Sequence, residues 1–228
     1  MIHRIPAGET NCYLLRGEGG MILVDPGPPG RGDQVIAGAL AAGVDPADVR
    51  LILVTHGHLD HYGAVPAVRA WCGAPVAAHP VEPGWSRDRR NALPPAGTLR
   101  GSVVRWFYLL LSPLARFEPL FADVLLEEDA ELSSYGVEAR VLLLPGHSPG
   151  MLGVLLPGGD FLAGDLFVNY TVPSQPLYLN DREAWQHSYD RVRALAPTTV
   201  HVGHGEPFPG TALSHVYPPR YQFRWWVR

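Results

Sequence analysis

The sequence predicts an α+β fold in which two β-sheets pack together and helices cover their outer faces. Two observations support this prediction. Short apolar runs bounded by glycine, proline and acidic residues recur in both halves of the 228-residue chain, as expected of strands. Segments of helical composition stand between these runs, and hydrophobic residues make up 46% of the chain, which is enough for a substantial buried core.

The first half of the chain is predicted to hold four strands and two helices. The strand-like runs are residues 12–15, 21–24, 51–54 and 75–78. The glycine-rich turn 17–20 joins the first two runs into a predicted β-hairpin. A helix is predicted over 33–42, because Gly43 is a typical helix end, and a second helix is predicted over about 60–71.

The second half repeats this alternation. Its strand-like runs are residues 141–144, 152–156, 161–163 and 199–202. The turn 157–160 separates two of these runs, and a helix is predicted from about 182 to 195, before the last strand. The recurrence of strands in both halves is what predicts two sheets rather than one.

Residues 82–126 differ from the rest of the chain. Arginines and aromatic residues are mixed there, and prolines divide the segment into short pieces. We therefore expect a single domain, residues 1–228, that carries 82–126 as an insertion. Two interpretations stay open: a cap that buries its own aromatic side chains, or a lid that offers apolar contacts and arginines to a substrate.

Composition excludes some partners. A net charge of −4 disfavours nucleic acid, because binding a polyanion needs a basic surface. The longest apolar run, 106–111, is too short to cross a bilayer, and residues 1–6 do not resemble a signal peptide. We expect a cytoplasmic protein without a membrane partner. Cys12 and Cys72 are expected to be reduced thiols, with a disulfide as the alternative.

The strongest motif for chemistry is residues 55–61, directly after the apolar run 51–54. Three histidines and one aspartate lie within six of these positions, and imidazole with carboxylate suits zinc, iron or manganese. In an extended loop His56 and His58 project to the same side. Asp60 and His61 fall where the predicted helix begins, so the same loop can serve a second metal. Gly57 lets the loop bend where a larger side chain would obstruct it.

Residues 56–61 resemble the signature of the metallo-β-lactamase-fold hydrolase superfamily. Further segments resemble other motifs of that family in the same order, namely residues 11–14, 24–27, 145–150, 163–167 and 202–207. The resemblance covers nearly the whole chain outside the insertion. It implies a four-layer αββα sandwich, with two mixed β-sheets packed together and flanked by helices.

The resemblance also implies a binuclear metal site. Its first metal would be held by His56, His58 and His147. Its second metal would be held by Asp60, His61 and His204, with Asp165 between the two metals. Asp60 and Asp165 are the expected catalytic carboxylates. The implied nucleophile is a hydroxide that bridges the metals, since metal-bound water ionises near neutral pH. Two divalent ions are expected, zinc before iron or manganese.

Other residues are candidates with a structural alternative beside them. Asp25 either supports the ligands from behind, as the resemblance implies, or is a plain turn aspartate. Tyr170, together with Trp106 and Tyr108 of the insertion, is a candidate substrate contact.

Residues next to the motifs have mainly structural interpretations. We interpret Thr55 as a strand-end threonine, with a hydroxyl that holds a neighbouring loop as the alternative, and His201 as a packing residue. Glu206 either braces the His204 loop or is an exposed acid, and His79 either ends a strand or lines the pocket.

The resemblance implies a hydrolase that attacks an ester, thioester or lactone carbonyl of a small molecule. Asp165 stands where many true β-lactamases have cysteine, and the helical C-terminal domain of glyoxalase II is not expected here. A glyoxalase II-like thioesterase is still an alternative. A persulfide dioxygenase-like iron oxidoreductase is another, although such enzymes use mainly the first-metal histidines. A binding protein without catalysis is the third. The aromatic residues 221–228 either fold back onto the core or form a homodimer interface.

Overall fold

A computed structural model describes residues 1–87 and 118–216, together with the isolated positions Ser102, Val103, Trp106 and Leu110. Its strands form two sheets that pack face to face, and helices lie on the outer faces. Both sheets contain parallel and antiparallel pairs. The predicted αββα sandwich of two mixed sheets is therefore confirmed.

The first sheet has eight strands within the described residues. They are β1 (Ile2–Ala7), β2 (Thr10–Arg16), β3 (Met21–Val24), β4 (Val49–Leu53), β5 (Val76–Ala78), β6 (Val124–Leu125), β10 (Val168–Asn169) and β12 (His204–Gly205). Their order is β10-β12-β2-β3-β4-β5-β6, and β1 pairs with β2. The predicted hairpin is β2–β3, in which Tyr13 lies opposite Val24.

The second sheet has five strands in the order β13-β11-β9-β8-β7. They are β7 (Arg140–Leu143), β8 (Leu152–Leu155), β9 (Asp160–Leu162), β11 (Thr199–His201) and β13 (Phe208–Pro209). The helices of the described residues are α1 (Gly32–Ala41), α2 (Leu59–Tyr62), α3 (Val65–Cys72), α4 (Glu82–Trp85) and α5 (Arg182–Leu195). Nowhere in the described residues is there a helix with the length and apolar character needed to cross a membrane.

Three buried clusters fill the spaces between the four layers. Successive residues of β2 show how a strand serves two of them: Tyr13 points to the cluster between the sheets, whereas Leu14 points to the cluster under α1 and α3. The third cluster lies between the second sheet and α5, where Trp185 and Phe161 are buried. Cys12 is buried and free, and Cys72 is also free, so there is no disulfide between them.

The structure departs from the predicted elements in two places. The helix predicted over about 60–71 is divided into α2 and α3. The division follows from a tertiary contact, because the N–H of Ala64 donates to Gly27 O at 2.9 Å and Gly63 packs against Pro29. Residues 2–7, for which no strand was predicted, form β1, which pairs with β2 along its whole length.

Both ends of the expected insertion belong to the core of the described structure. At one end, α4 lies beside the metal-ligand motif, as shown below. At the other end β6 pairs with β5, and Leu120 and Leu126 are buried. The N–H of Leu120 donates to Ser86 Oγ at 3.1 Å, which joins the two ends.

Candidate metal centre

The predicted ligands lie where strands end. The loop 54–58 follows β4, and the loop 144–151 with His147 follows β7. Asp165 comes just after β9, and His204 comes just after β11. The two sheets therefore bring four separate segments of the chain to one place, with α2 starting directly after His58.

Asp25 supports this place from the end of β3. It is buried and adopts a left-handed backbone conformation, with φ of 52°. Its Oδ1 accepts the N–H of Thr55 at 2.8 Å, and its Oδ2 accepts the Thr55 hydroxyl at 2.7 Å. The same Oδ2 lies 2.9 Å from Nδ1 of His61. Asp25 thus orients both the loop after β4 and one imidazole ring, and Thr55 is more than a strand-end residue.

The first group of possible ligand atoms contains three histidines. Nδ1 of His58 lies 3.0 Å from Nε2 of His56 and 2.9 Å from Nε2 of His147. Nδ1 of His147 donates to the carbonyl of Tyr178 at 2.8 Å, so its Nε2 carries the lone pair that faces the other two rings. Nitrogen atoms of three buried rings therefore converge on one point.

The second group contains Asp60, His61 and His204. Nε2 of His204 lies 3.2 Å from Oδ2 of Asp60 and 3.4 Å from Nε2 of His61. The opposite nitrogen of each ring is held by an acceptor: Asp25 for His61, and the carbonyl of Glu9, at 2.8 Å, for His204. Both Nε2 atoms are therefore directed at the same point.

Asp165 lies between the two groups. Its Oδ2 is 3.5 Å from Nε2 of His147 and 3.3 Å from Nε2 of His204. Its Oδ1 is 3.4 Å from Nε2 of His61. Within the described residues Oδ1 is buried and accepts no hydrogen bond. A buried carboxylate oxygen without a donor is costly, and a cation is the natural partner for it.

The electrostatics of the first group favour neutral imidazole. Burial, reinforced by the neighbouring rings, lowers the pKa of His56 well below its usual range and that of His58 to about 3. Burial also lowers the pKa of His147. These histidines are therefore deprotonated at neutral pH, which is the form that binds a metal.

In the second group the pKa values of the two histidines are raised rather than lowered. Although burial opposes it, the carboxylate of Asp165 raises the pKa of His61 to about 10 and that of His204 well above its usual range. The two histidines in turn hold the pKa of Asp165 well below its usual range against the effect of burial. Protons thus offset the buried carboxylate here. A divalent cation would fit the same position, and the donor set of imidazoles and carboxylates suits zinc, iron or manganese.

The structure describes two of the three candidate substrate contacts, Tyr170 and Trp106. The ring of Tyr170 stacks on that of His204, with ring centroids 6.3 Å apart and planes 30° apart. Trp106 is 59% exposed. Tyr108 lies outside the described residues, as do the aromatic residues 221–228.

The residues next to the motifs also have definite surroundings. Glu206 forms an ion pair with Arg4 at 2.8 Å and is mostly exposed. His201 packs edge-on against Tyr13 and faces Asp160. His79 lies beside Gly150, close to the loop that carries His147.

Sequence reasoning missed two residues next to the ligands. Glu82 lies in the expected insertion, yet its buried carboxylate contacts both histidine loops of the first group. Gly203 lies against the carboxylate of Asp165, where a Cβ atom would overlap with Oδ1. Neither has a signal in the sequence, because an isolated acid and a loop glycine are common and their meaning comes from spatial neighbours.

The fold and the cluster of histidine and aspartate side chains define a metal-binding αββα protein. The profile of the metallo-beta-lactamase superfamily matches residues 5–204, and the chain belongs to this superfamily. The resemblance inferred from the motifs is therefore confirmed.

Named relatives come from several bacteria. The chain is 30% identical over 207 residues to the probable metallo-hydrolase YqgX of Bacillus subtilis, with 89% of each protein covered. It is 36% identical over 160 residues to a hydroxyacylglutathione hydrolase of Anaeromyxobacter dehalogenans, which covers 69% of this chain but only 46% of that protein. It is 30% identical over 180 residues to the N-acyl homoserine lactonase AttM of Azorhizobium caulinodans, covering 74% of this chain and 63% of AttM.

Solved structures agree with the fold. The structure of TTHA1623 in a di-iron-bound form aligns with a TM-score of 0.67 and 27% identity, covering 95% of this chain and 98% of that one. Among these relatives one is named a probable metallo-hydrolase, one a hydroxyacylglutathione hydrolase and one a lactonase, and the solved structure of TTHA1623 holds iron.

Proposed function

We propose that this protein is a binuclear metal-dependent hydrolase of a carbonyl compound, namely an ester, a thioester or a lactone. The observation that carries the proposal is the position of Asp165 between two complete groups of ligand atoms. An enzyme needing one metal would require only the first group. Two divalent ions, when bound, would supply a water nucleophile at neutral pH and polarise the substrate carbonyl.

The residues of the chain would divide the remaining tasks. The neutral rings of the first group would hold one metal, and Asp60 with the rings of His61 and His204 would hold the other. Asp165 would bridge them and offset part of their charge. A tyrosine hydroxyl keeps its proton at neutral pH, and burial raises the pKa of Tyr170 further, so this hydroxyl can donate a hydrogen bond to the substrate.

Relatives support the class of bond but not one substrate. One is named for a hydroxyacylglutathione, a thioester, and another for an N-acyl homoserine lactone. The chain covers less than half of the former protein. The insertion is the proposed source of specificity, since it lies beside the first group through α4.

Metal analysis and a substrate panel test the proposal. Purified protein should contain about two equivalents of zinc, iron or manganese. An acylglutathione, an acyl homoserine lactone, an aryl ester and, for comparison, a β-lactam are assayed. At least one of the first three should be hydrolysed, with activity lost to a chelator and restored by metal.

A variant pair tests the role of Asp165. Asp165→Asn should lower kcat by at least about 100-fold, because removing a bridging carboxylate disturbs both metals. The control is Asp160→Asn, since Asp160 lies at the start of β9 and contacts His201 instead. Full activity in Asp165→Asn contradicts the mechanism. A single iron with oxygen consumption on a persulfide would identify an oxidoreductase instead.

A further inference from the structure

Glu82 is a buried acid that is not one of the clustered ligands of the described residues. Its side chain accepts three hydrogen bonds. Oε2 accepts the N–H of Gly57 at 2.6 Å, and Oε1 accepts the hydroxyl of Ser148 and the N–H of Gly150, both at 2.7 Å. Burying a carboxylate is costly unless donors surround it, and here both oxygens have them.

These donors belong to two different loops. Gly57 stands between His56 and His58, and Ser148 directly follows His147. One carboxylate therefore connects the two loops that supply the whole first group of ligand atoms. Trp85, on the same turn of α4, packs against the ring of His58 with centroids 5.1 Å apart.

The glycines of these loops fit this connection. A Cβ atom at position 57 would lie 2.9 Å from Oε2 of Glu82, and one at position 150 would lie 3.0 Å from Oε1. The first distance is shorter than Cβ atoms adopt, and the second is tight. A Cβ atom at position 150 would also lie 2.5 Å from Nδ1 of His79, so glycine at both positions allows the backbone N–H to approach the carboxylate. Gly57 therefore serves this approach of Glu82, which explains the residue better than loop bending alone.

We propose that Glu82 is a positioning residue that sets the distance between the His58 loop and the His147 loop, and thereby the affinity of the first metal site. This inference rests on the proposed two-metal site. Glu82 does not contact the second group, whose rings are oriented by Asp25 and by the carbonyl of Glu9. Its removal should consequently affect the two sites unequally.

The test compares metal affinities of Glu82→Gln with the parent protein. An amide has the same shape, but its NH₂ group must face the N–H of either Gly57 or Gly150. Two donors cannot bond to each other, so the hydrogen bond to one of the two loops is lost. Zinc affinities are measured on metal-free protein by chelator competition. Anomalous diffraction at limiting zinc identifies the occupied site. We expect the first site to weaken about 10–100-fold, with the second site changed less than about threefold.

Two further variants separate positioning from general stability. Ser148→Ala removes one of the three donors, so it should also weaken zinc binding at the first site, by a smaller factor. This variant replaces Glu82→Gln in the test if Glu82→Gln does not fold. Glu128→Gln is the matched control, because Glu128 also accepts a backbone N–H, that of Leu143 in β7. Its hydrogen bonds, from Leu143 and Arg191, come from neither the loop 54–58 nor the loop 144–151. It should leave both zinc affinities unchanged.

Three results overturn the inference: unchanged affinity in Glu82→Gln, equal weakening of both sites, or the same pattern in Glu128→Gln. These measurements use no substrate. If no substrate in the panel is hydrolysed, the proposed hydrolase is rejected. The role of Glu82 is still tested by the measured zinc affinities of the two sites.

Discussion

Gly203 lies directly behind the carboxylate of Asp165. A Cβ atom there would overlap with Oδ1 of Asp165 and would lie 2.7 Å from Cε1 of His61. The two neighbours are proposed ligands from different loops. The close approach of the backbone at position 203 therefore helps to define where both side chains stand.

Gly203→Ala should lower zinc content and activity, the latter by about 10–100-fold, because two proposed ligands must move. Zinc is measured by atomic emission and activity with the best substrate of the panel. Gly158→Ala is the control, since nothing lies within 4 Å of a Cβ atom at that position. Two equivalents of zinc and parental activity in Gly203→Ala would show that the site tolerates the methyl group.

For single residues, the sequence predicts those roles that depend on neighbours in the chain. The histidines and aspartates proposed as ligands lie in short motifs, and the structure brings them together in three overlapping groups. The supporting residues are harder to predict. Glu82 accepts hydrogen bonds from Gly57 and Ser148, which are 25 and 66 positions away in the chain. Only the fold shows that these residues are neighbours.

Helix α5 supports the loop that carries His147. The N–H groups of Asn180 and Asp181 donate to the carbonyl of Gly146 at 2.8 and 2.9 Å. The hydroxyl of Ser188 donates to the carbonyl of Pro145 at 2.7 Å. The start of α5 therefore fixes the approach to a proposed ligand as well as covering the second sheet.

Asp181→Ala should destabilise the protein by about 1 kcal/mol, because Asp181 caps α5 by accepting from the N–H groups of Glu183 and Ala184. Urea unfolding measures the change. Asp190→Ala, on an exposed face of the same helix, should cost less than half as much. Equal effects of the two substitutions would mean that the cap adds nothing beyond an ordinary surface aspartate.

Elements were predictable where their signal is long or periodic. The limits of α5 agree with the expectation of 182–195, and the β2–β3 hairpin follows from its turn. The strands β10, β12 and β13 have two residues each, which is too short for any periodicity. The break between α2 and α3 arises from the contact with Gly27, which is remote in sequence.

In the molecule as a whole, an ion pair links the second sheet to α5. Glu128 pairs with Arg191, and the N–H of Leu143 in β7 donates to Glu128 at 2.8 Å. The hydrogen bond from Arg191 lowers the pKa of Glu128, against a smaller effect of burial. Because the folded-state pKa is depressed, the stabilisation is present above the unfolded pKa of about 4.3 and is lost as the pH falls through the folded value.

Glu128→Gln should therefore be less stable than the parent at pH 7, and this difference should shrink below about pH 4. Urea unfolding of both metal-free proteins from pH 7 to pH 3 measures it. Metal-free protein is used so that metal release in acid does not contribute. A difference independent of pH would mean that the charge of Glu128 is not what stabilises this contact.

The fold as a whole was predictable because the order of strands and motifs identifies it. The insertion over 82–126 stays a prediction. What was not predictable is that Glu82, Leu120 and Leu126, near its two ends, are buried in the described structure.

The bond between Leu120 and Ser86 also has an evolutionary consequence. This hydrogen bond joins two residues that are 34 positions apart in the chain. Lengthening a segment with joined ends costs only about 0.6 kcal/mol for each doubling of its length. Insertions and deletions between positions 86 and 120 should therefore cost little folding free energy, so evolution could vary the length of this interval without disturbing its joined ends.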